Sequence, residues 1–402
     1  MSRNPQLRVR PVAVAVSLIL CGSASASDAG QAAAKPSSDI PGLEEVIVTA
    51  SKRAEKLQDV PVPVTVQTSE QLTAAGYAGI VDYANNVPSF TVVSYGTPGR
   101  TQVAVRGISS TGSIATVGTY LDDAPMGGSN GWVNAATTLL DIVPYDLEQV
   151  ELLRGPQGTL YGQGAMGGIL KYVLRKPSTE QFEGNVGGET TAIDDSDDLG
   201  YTVRGRVNMP VIDGLLGVSI SGFDRHTPGY MDNEWTGAKD TNESRQYGGR
   251  VAALWTPSSD VSVNVTVLNQ VIDAEDANSK QFSGYTMSSD PDGPLILVPT
   301  DPMPDSTQNN AVLASYTQHL TFLSTTVDWK AGRFDFLSTT SYLSTRSRSV
   351  QDSTYWLGIS LPDYGGAEPG IAYSAVEFGV SKFNQEFRLA SPQGDSVEWL
   401  VG

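Results

Sequence analysis

Residues 146–177 read DLEQVELLRGPQGTLYGQGAMGGILKYVLRKP and contain the strongest structural signal of the chain. Gly162, Gly164 and Gly167 match the G-x-G-x-x-G spacing of a dinucleotide-binding loop, which needs a strand before the glycines and a helix after them. Residues 169–175 instead alternate with a period near two, which predicts a strand. We therefore interpret the glycines as residues for compact turns and close backbone approach, and not as a nucleotide site.

The N-terminal residues have the organisation of a secretory signal peptide. Three arginines precede the apolar run PVAVAVSLIL, and Ala24-Ser25-Ala26 follows as a cleavage site, so residues 1–26 are the predicted signal. The apolar run is too short for a membrane-spanning helix, which needs about 20 residues. Residues 27–43 are small, polar and proline-containing, and we interpret them as a flexible linker.

Composition excludes some classes of function. The formal net charge of −18 argues against a nucleic-acid partner, because phosphates require a basic surface. The 41 glycines and 23 prolines favour strands and turns over long helices. The single cysteine, Cys21, lies in the predicted signal, so no disulfide is expected after it is removed.

The second half of the chain alternates with the period of half-buried strands. In DVSVNVTVLN, the valines at 261, 263, 265 and 267 lie on one face, and Ser262, Asn264 and Thr266 lie on the other. The same pattern predicts nine strands, at about 181–192, 199–209, 215–224, 244–256, 260–270, 315–329, 333–346, 379–390 and 395–402.

The lengths of the connections distinguish two kinds of β protein. From the second connection onward, short turns such as PVIDG, PSSD, KAG and SPQGD alternate with long segments rich in Asp, Gly, Pro, Tyr and Trp. This alternation is typical of an outer-membrane barrel, with tight periplasmic turns and long extracellular loops. A soluble, secreted β-rich binding or structural protein remains the alternative.

Several segments carry a family resemblance. EEVIVTASKR at 44–53 resembles a TonB box, and residues 146–177 resemble the plug signature of TonB-dependent outer-membrane receptors. Three further segments match the family: VAVRGI at 103–108, TYLDDAPM at 119–126 and FNQEFRLASP at 383–392. Residues 163–166 depart from the family's usual Arg-Asn-Ala-Thr-like run. This departure affects the side-chain contacts expected at these positions and not the resemblance itself.

The resemblance implies an α+β plug domain followed by an all-β antiparallel transmembrane β-barrel in the outer membrane of a Gram-negative bacterium. The predicted division is a TonB-box region at 44–53, a plug at 54–177 and barrel strands at 178–402. Plugged barrels have 22 strands, and an odd count of about nine cannot close one. We therefore expect this chain to be the N-terminal portion of a longer receptor, or a truncated product, and to be transport-incompetent alone.

The same resemblance implies energy-coupled uptake through TonB with ExbB and ExbD. The predicted coupling residues are Glu45, Val46, Ile47, Val48 and Thr49, whose β-branched side chains suit addition to the edge of a partner sheet. A first strand of the plug is the plainer interpretation of this pentapeptide.

The plug is expected to be held in the barrel by ion pairs. Arg106 and Arg154 follow apolar strands, and enclosed arginines need carboxylate partners or backbone carbonyls and water. By parity Glu386 faces inward while Phe387 faces lipid, and Glu398 is the second candidate partner.

A ferric siderophore is the leading family ligand, with cobalamin, oligosaccharides and other solutes still open. Candidate ligand-binding residues lie in the predicted outward loops, namely Tyr95, Arg100, Trp132, Tyr230, Trp235, Tyr285 and Trp356. Each of the aromatic residues is equally consistent with loop packing or an interface belt.

No enzyme is predicted. Residues 127–131 satisfy G-x-S-x-G but lie in a loop, and the two histidines, His226 and His319, fall in a long loop and a strand. Asp194–Asp198 lacks the spacing of a calcium loop, so neither a metal nor a cofactor is expected.

Overall fold

The computed structural model describes residues 46–77, 79–109, 115–127, 146–278, 285–287, 297–299, 304–354, 371–394 and 396–402. The predicted signal peptide, the linker and Glu45 lie outside these residues. The described residues form an N-terminal mixed α/β region, here called the plug, and a large antiparallel sheet, here called the barrel sheet.

The described residues of the plug form ten short strands, three α-helices and a 3-10 helix. The strands are β1 (Ile47–Val48), β2 (Glu55–Lys56), β3 (Val64–Thr68), β4 (Phe90–Ser94), β5 (Thr101–Val105), β6 (Ile108–Ser109), β7 (Val117–Leu121), β8 (Ala124–Pro125), β9 (Leu147–Arg154) and β10 (Gly168–Leu174). The helices are α1 (Ser69–Ala74), α2 (Ile80–Ala84) and α3 (Gly158–Tyr161), and the 3-10 helix is Leu57–Asp59. Among the described residues, no helix combines the length and apolar character needed to cross a membrane.

A mixed five-stranded sheet forms the centre of the plug, in the order β3-β9-β10-β7-β8. Strands β10 and β7 are parallel, and the other pairs are antiparallel. Both β9 and β10 are central and almost fully buried, which explains their apolar sequences. The strand expected at 169–175 is therefore confirmed as β10.

The glycines of the opening sequence have the structural roles expected of them. Gly162 and Gly164 have φ of +72° and +84°, conformations that side chains rarely adopt. Gly168 begins β10 against β9, and a Cβ there would lie 2.3 Å from the Leu153 carbonyl oxygen. A strand follows these glycines, so no helix N-terminus faces a phosphate.

The substitution Gly168→Ala is expected to destabilise the plug by about 1–3 kcal/mol, because β9 and β10 must separate to admit the methyl group. Protease resistance of the plug across a urea titration measures the effect. Gly158→Ala is the matched control, since a Cβ at Gly158 meets no atom within 4 Å. Equal midpoints for both variants would contradict the packing role.

The barrel sheet and its loops contain β11 (Glu183–Ala192), β12 (Leu199–Ile212), β13 (Leu216–Thr227), β14 (Asp232–Asn233), β15 (Ser244–Ser258), β16 (Val261–Ala274), β17 (Tyr285–Met287), β18 (Leu297–Pro299), β19 (Thr307–Gln308), β20 (Tyr316–Ala331), β21 (Phe334–Asp352), β22 (Tyr373–Ala390) and β23 (Leu400–Val401). Nine of these strands form one open antiparallel sheet in chain order, and the pairs β14-β19 and β17-β18 lie in the long connections. The predicted number of barrel strands is confirmed.

The register of the barrel sheet separates an apolar outer face from a polar inner face. One row across seven strands is exposed and apolar, namely Val207, Ile220, Val251, Val267, Leu323, Tyr342 and Phe383. The adjacent row faces the plug and is mostly polar, namely Asn208, Ser219, Ala252, Thr266, Ser324, Ser341 and Asn384. This alternation is what a lipid-facing barrel around a polar interior requires.

The last predicted strand is much shorter than expected. Only Leu400–Val401 pairs with β22, because Ser391 and Trp399 close a turn before it. The Ser391 N–H donates to the Trp399 carbonyl at 3.0 Å, and the Trp399 N–H donates to Ser391 Oγ at 2.9 Å. Glu398 therefore lies in a turn and not on an inward strand position.

Candidate functional site

The predicted coupling segment is docked in the plug. Ile47 and Val48 form β1, which pairs antiparallel with β2. Val48 and Ala50 are fully buried, whereas the Ile47 side chain is exposed. The segment therefore has the extended conformation that strand addition needs, but one of its edges is already occupied.

Glu151 on β9 binds the segment from inside the plug. Its Oε1 accepts the Thr49 N–H and the Thr49 hydroxyl, both at 3.0 Å. Gln149 donates to the Ile47 carbonyl at 2.9 Å, and the Tyr161 hydroxyl donates to the Ala50 carbonyl at 2.8 Å. Sequence reasoning missed Glu151, although a carboxylate within the apolar run of β9 was the available signal.

A cluster of charges joins the end of this segment to the barrel sheet. Lys52 Nζ lies 3.3 Å from Glu386 on β22 and 3.6 Å from Asp123 of the plug. Asp123 also contacts Arg388 at 2.5 Å and Lys171 at 3.7 Å. Burial alone would raise the pKa of Asp123, but Lys171, Arg388 and Lys52 outweigh burial and lower that pKa. We call Lys52, Asp123, Lys171, Glu386 and Arg388 the β22 cluster.

The predicted partners of the barrel glutamates were wrong. Glu386 pairs with Lys52, and Glu398 pairs with Arg53 at 3.5 Å, instead of with Arg106 and Arg154. Both glutamates lie near the periplasmic end of the sheet, where the plug presents residues 52 and 53. Arg106 lies in a turn with φ of +53°, beside Gly155, and Arg154 lies at the end of β9.

A second cluster, in which a plug carboxylate contacts two arginines of the barrel sheet, was not predicted. Plug residue Asp146 contacts Arg206 on β12 at 3.2 Å and Arg250 on β15 at 2.8 Å, and accepts a hydrogen bond from Ser221 on β13. The three barrel residues are direct cross-strand neighbours. All four side chains are buried. We call them the β12–β15 cluster; the signal in the sequence was two arginines at inward positions, each between a glycine and a valine.

The opposite side of the plug carries two of the predicted ligand residues. The Arg100 guanidinium lies 5.9 Å from the ring centres of both Tyr95 and Tyr316, the first residue of β20. Burial lowers the pKa of Arg100, and the two tyrosines oppose that effect. Among the described residues, no carboxylate forms an ion pair with Arg100.

The remaining ligand candidates are not brought together by the described structure. Trp235 is exposed, and the backbone N–H of Tyr230 donates to the Asn242 side chain at 2.8 Å. Trp132, Trp356 and the side chain of Tyr285 lie outside the described residues. The structure therefore joins Tyr95 and Arg100 and adds Tyr316, which sequence reasoning had not selected.

One known protein family matches most of the plug. The model of the TonB-dependent receptor plug domain matches residues 56–169, which include β9, the glycine turns after it and the first two residues of β10. The chain belongs to the TonB-dependent receptors. These are receptors of the outer membrane that work with TonB, and the predicted fold class and cellular location are thereby confirmed.

Characterised relatives of this receptor differ in what they bind. The pesticin receptor of Yersinia pestis is 30% identical over 215 residues, covering 53% of this chain and 30% of its own. The vitamin B12 transporter BtuB of Photobacterium profundum is 28% identical, covering 52% of this chain and 33% of its own. The chain thus spans about a third of the length of these relatives.

A solved structure shows that the receptor fold extends beyond the plug. The ferric yersiniabactin uptake receptor of Yersinia pestis superimposes with a TM-score of 0.60 at 21% identity, covering 84% of this chain and 47% of that protein. The nine strands of the barrel sheet therefore follow the plug as they do in a known receptor.

Proposed function

We propose that this receptor takes up a ferric siderophore across the outer membrane, using energy delivered through TonB with ExbB and ExbD. The observation that carries the choice of ligand is Arg100. It is a partly buried cation on the side of the plug opposite the β22 cluster, and its guanidinium lies 5.9 Å from the centres of two tyrosine rings. An anionic group of a ligand would complete this site.

The chemistry of the site favours an anionic iron chelate over a neutral oligosaccharide. Carboxylate, phenolate and catecholate groups of siderophores accept charge-assisted hydrogen bonds from a guanidinium. The flanking tyrosine rings suit flat aromatic or chelate surfaces. A neutral oligosaccharide would use the rings but would leave the Arg100 charge without an anion.

The coupling segment supports the energy-coupled part of the proposal. For TonB to add a strand along residues 46–49, the β1–β2 pair must open. The bonds from Thr49 to Glu151 and from Gln149 to the Ile47 carbonyl must also break, and Val48 must leave its buried site. Glu45 to Thr49 remain the residues that we propose to pair with the partner.

Because this chain alone is expected not to transport, the proposal is tested in a receptor with a complete barrel that carries it. The assay is import of radiolabelled iron bound to a catecholate, a hydroxamate or a phenolate siderophore, with hemin and cyanocobalamin as competitors. The host lacks its own receptors and is compared with and without TonB. Arg100→Gln is expected to weaken surface binding of the imported complex by about tenfold, as for a lost charge-assisted hydrogen bond. Arg348→Gln, on the outward face of β21, is the control.

Import of cyanocobalamin or hemin alone would reassign the ligand. Import that does not require TonB would overturn the coupling mechanism. Equal binding by Arg100→Gln and Arg348→Gln would show that Arg100 is not part of the ligand site.

A further inference from the structure

The described ion pairs between plug and barrel sheet lie on two flanks. One flank is the β12–β15 cluster around Asp146. The other flank is the β22 cluster with the neighbouring pair of Arg53 and Glu398. Within the described residues, β16, β20 and β21 form no ion pair with the plug. Charge pairing therefore fixes two sides of the plug and leaves the sector between them without such bonds.

In that sector the middle of the plug is sealed by apolar contact. Leu268, Phe322 and Leu343 are neighbours on the inner faces of β16, β20 and β21. They are buried in the same hydrophobic cluster as Phe90, Val105 and Met126 of the plug. Leu268 pairs with Arg250 across β16 and β15, so the three barrel-sheet residues continue the cross-strand row of Arg206, Ser221 and Arg250. Ion pairs therefore give way to apolar contacts at the same level of the barrel sheet. Apolar contacts are non-directional and can slide or part without leaving a charge unpaired.

A cavity of about 890 Å³, lined mostly by polar and charged residues and called here the polar cavity, lies between this seal and the short turns of the sheet. Ser262, Asn264, Thr326 and Asp328 form its outer wall, on β16 and β20. Asp122 and Val173 form its plug wall together with Lys52, Asp123 and Lys171 of the β22 cluster, so the cavity borders that flank. The Asn264 side-chain oxygen is buried without a hydrogen-bond partner, so the wall has unused capacity to bind a polar molecule.

The ligand surface lies at the other end of the same sector. Tyr316 begins β20 beside Arg100, and the strand then presents Leu320 and Phe322 at the seal and Thr326 and Asp328 at the cavity. One strand thus runs from the proposed ligand site, past an apolar constriction, to a polar chamber near the periplasmic turns.

We infer that solute crosses this receptor along the inner face of β16, β20 and β21. The two ion clusters keep the flanks of the plug seated while the apolar row parts, and the polar cavity is the exit chamber. The inference rests on the proposed import function. A chamber of this volume suits a hydrophilic small molecule, since ligand sites for small molecules have volumes of about 300–1,000 Å³.

Filling the chamber tests the path. Thr326→Trp places a large ring in the cavity. Thr325→Trp places the same ring one residue earlier, on the outward face of β20. Thr326→Trp is expected to bind the radiolabelled ferric siderophore at the cell surface but to lose import, and Thr325→Trp is expected to import normally. Normal import by Thr326→Trp would overturn the path.

Modification after folding separates blockage from misassembly. Cys21 is the only cysteine of the sequence, so Thr326→Cys introduces a single thiol beyond the predicted signal peptide. A charged methanethiosulfonate reagent is expected to abolish import by Thr326→Cys and to leave Thr325→Cys unchanged. Unimpaired import by labelled Thr326→Cys would overturn the path. If the unsubstituted receptor imports no siderophore, the proposed function itself fails, and the path fails with it.

Discussion

Asp146→Asn is expected to loosen the plug more than any other single change at its contact with the barrel sheet. Among the described plug residues, Asp146 supplies the only carboxylate that contacts Arg206 and Arg250, whose side chains are 4% and 2% exposed. Removing one partner of a buried ion pair costs roughly 3–5 kcal/mol, because the remaining charge is left uncompensated. Within the described part of the chain, Arg206 retains Glu183 at 3.1 Å, whereas Arg250 retains only the carbonyls of residues 146 and 175.

Hydrogen exchange of β9 and β10 in outer-membrane preparations measures this effect, together with the temperature at which the plug becomes sensitive to trypsin. Asp146→Asn is expected to lower that temperature and to speed exchange next to β12 and β15. Glu183→Gln is the control, because Glu183 contacts the same Arg206 but is 45% exposed. If both variants behave like the unsubstituted receptor, the β12–β15 cluster does not anchor the plug.

Asp123→Asn is the second substitution with a large expected effect, and it acts on the coupling segment. Asp123 contacts Lys52, Lys171 and Arg388, so its loss leaves three buried cations with Glu386 as the remaining carboxylate of the β22 cluster. The expected cost is again about 3–5 kcal/mol. Lys52 lies near the end of the predicted TonB-box region at 44–53. Residues 46–53 are therefore expected to exchange amide protons faster and to become accessible to protease.

The neighbouring Asp122 supplies a matched control. Its Oδ1 accepts the Leu174 N–H at 2.8 Å, an asparagine would retain this bond, and asparagine tolerates the φ of +52° found there. Burial raises the pKa of Asp122, so Asp122→Asn removes a poorly solvated carboxyl group and is expected to leave the segment protected. Equal release of residues 46–53 in both variants would contradict a specific role for Asp123.

Acidification gives an independent signature of the β22 cluster. The pKa of Asp123 is lowered in the folded state, so its stabilising contribution is complete above the unfolded pKa of about 3.9 and is lost as pH falls toward the folded value. Protection of residues 46–53 is therefore expected to fall below about pH 4 in the unsubstituted receptor. Asp123→Asn should show a smaller dependence over the same range.

Elements with local periodicity were predictable from sequence. The alternation of Val261 to Val267 and the parity of Glu386 and Phe387 depend only on the period-two geometry of a strand. The order of the nine strands followed from the alternation of short and long connections, since neighbouring antiparallel strands need only a turn. The role of the glycines at 162 to 168 followed because a strand, and not a helix, comes after them.

The pairing of the two clusters was not predictable in this way. Parity correctly placed Glu386 on the inner face, but its height relative to the plug depends on how the two parts dock. That height brought Lys52 to Glu386 and left Arg106 in a turn beside Gly155. Similarly, Asp146 meets Arg206 and Arg250 across more than 50 residues of chain, and no local pattern links those positions.

By itself, the sequence determined the strands and their faces, because those properties arise from spacing along the chain. Its resemblance to a known family indicated the class of the protein and suggested the coupling residues, whose role is still a proposal. Only the tertiary structure decided which charges meet, that Arg100 lies between Tyr95 and Tyr316, and that one sector of the sheet is sealed by apolar contact above a polar cavity. These features arise from the rotation and depth of the plug against the sheet, and the summed burial of many residues sets that placement.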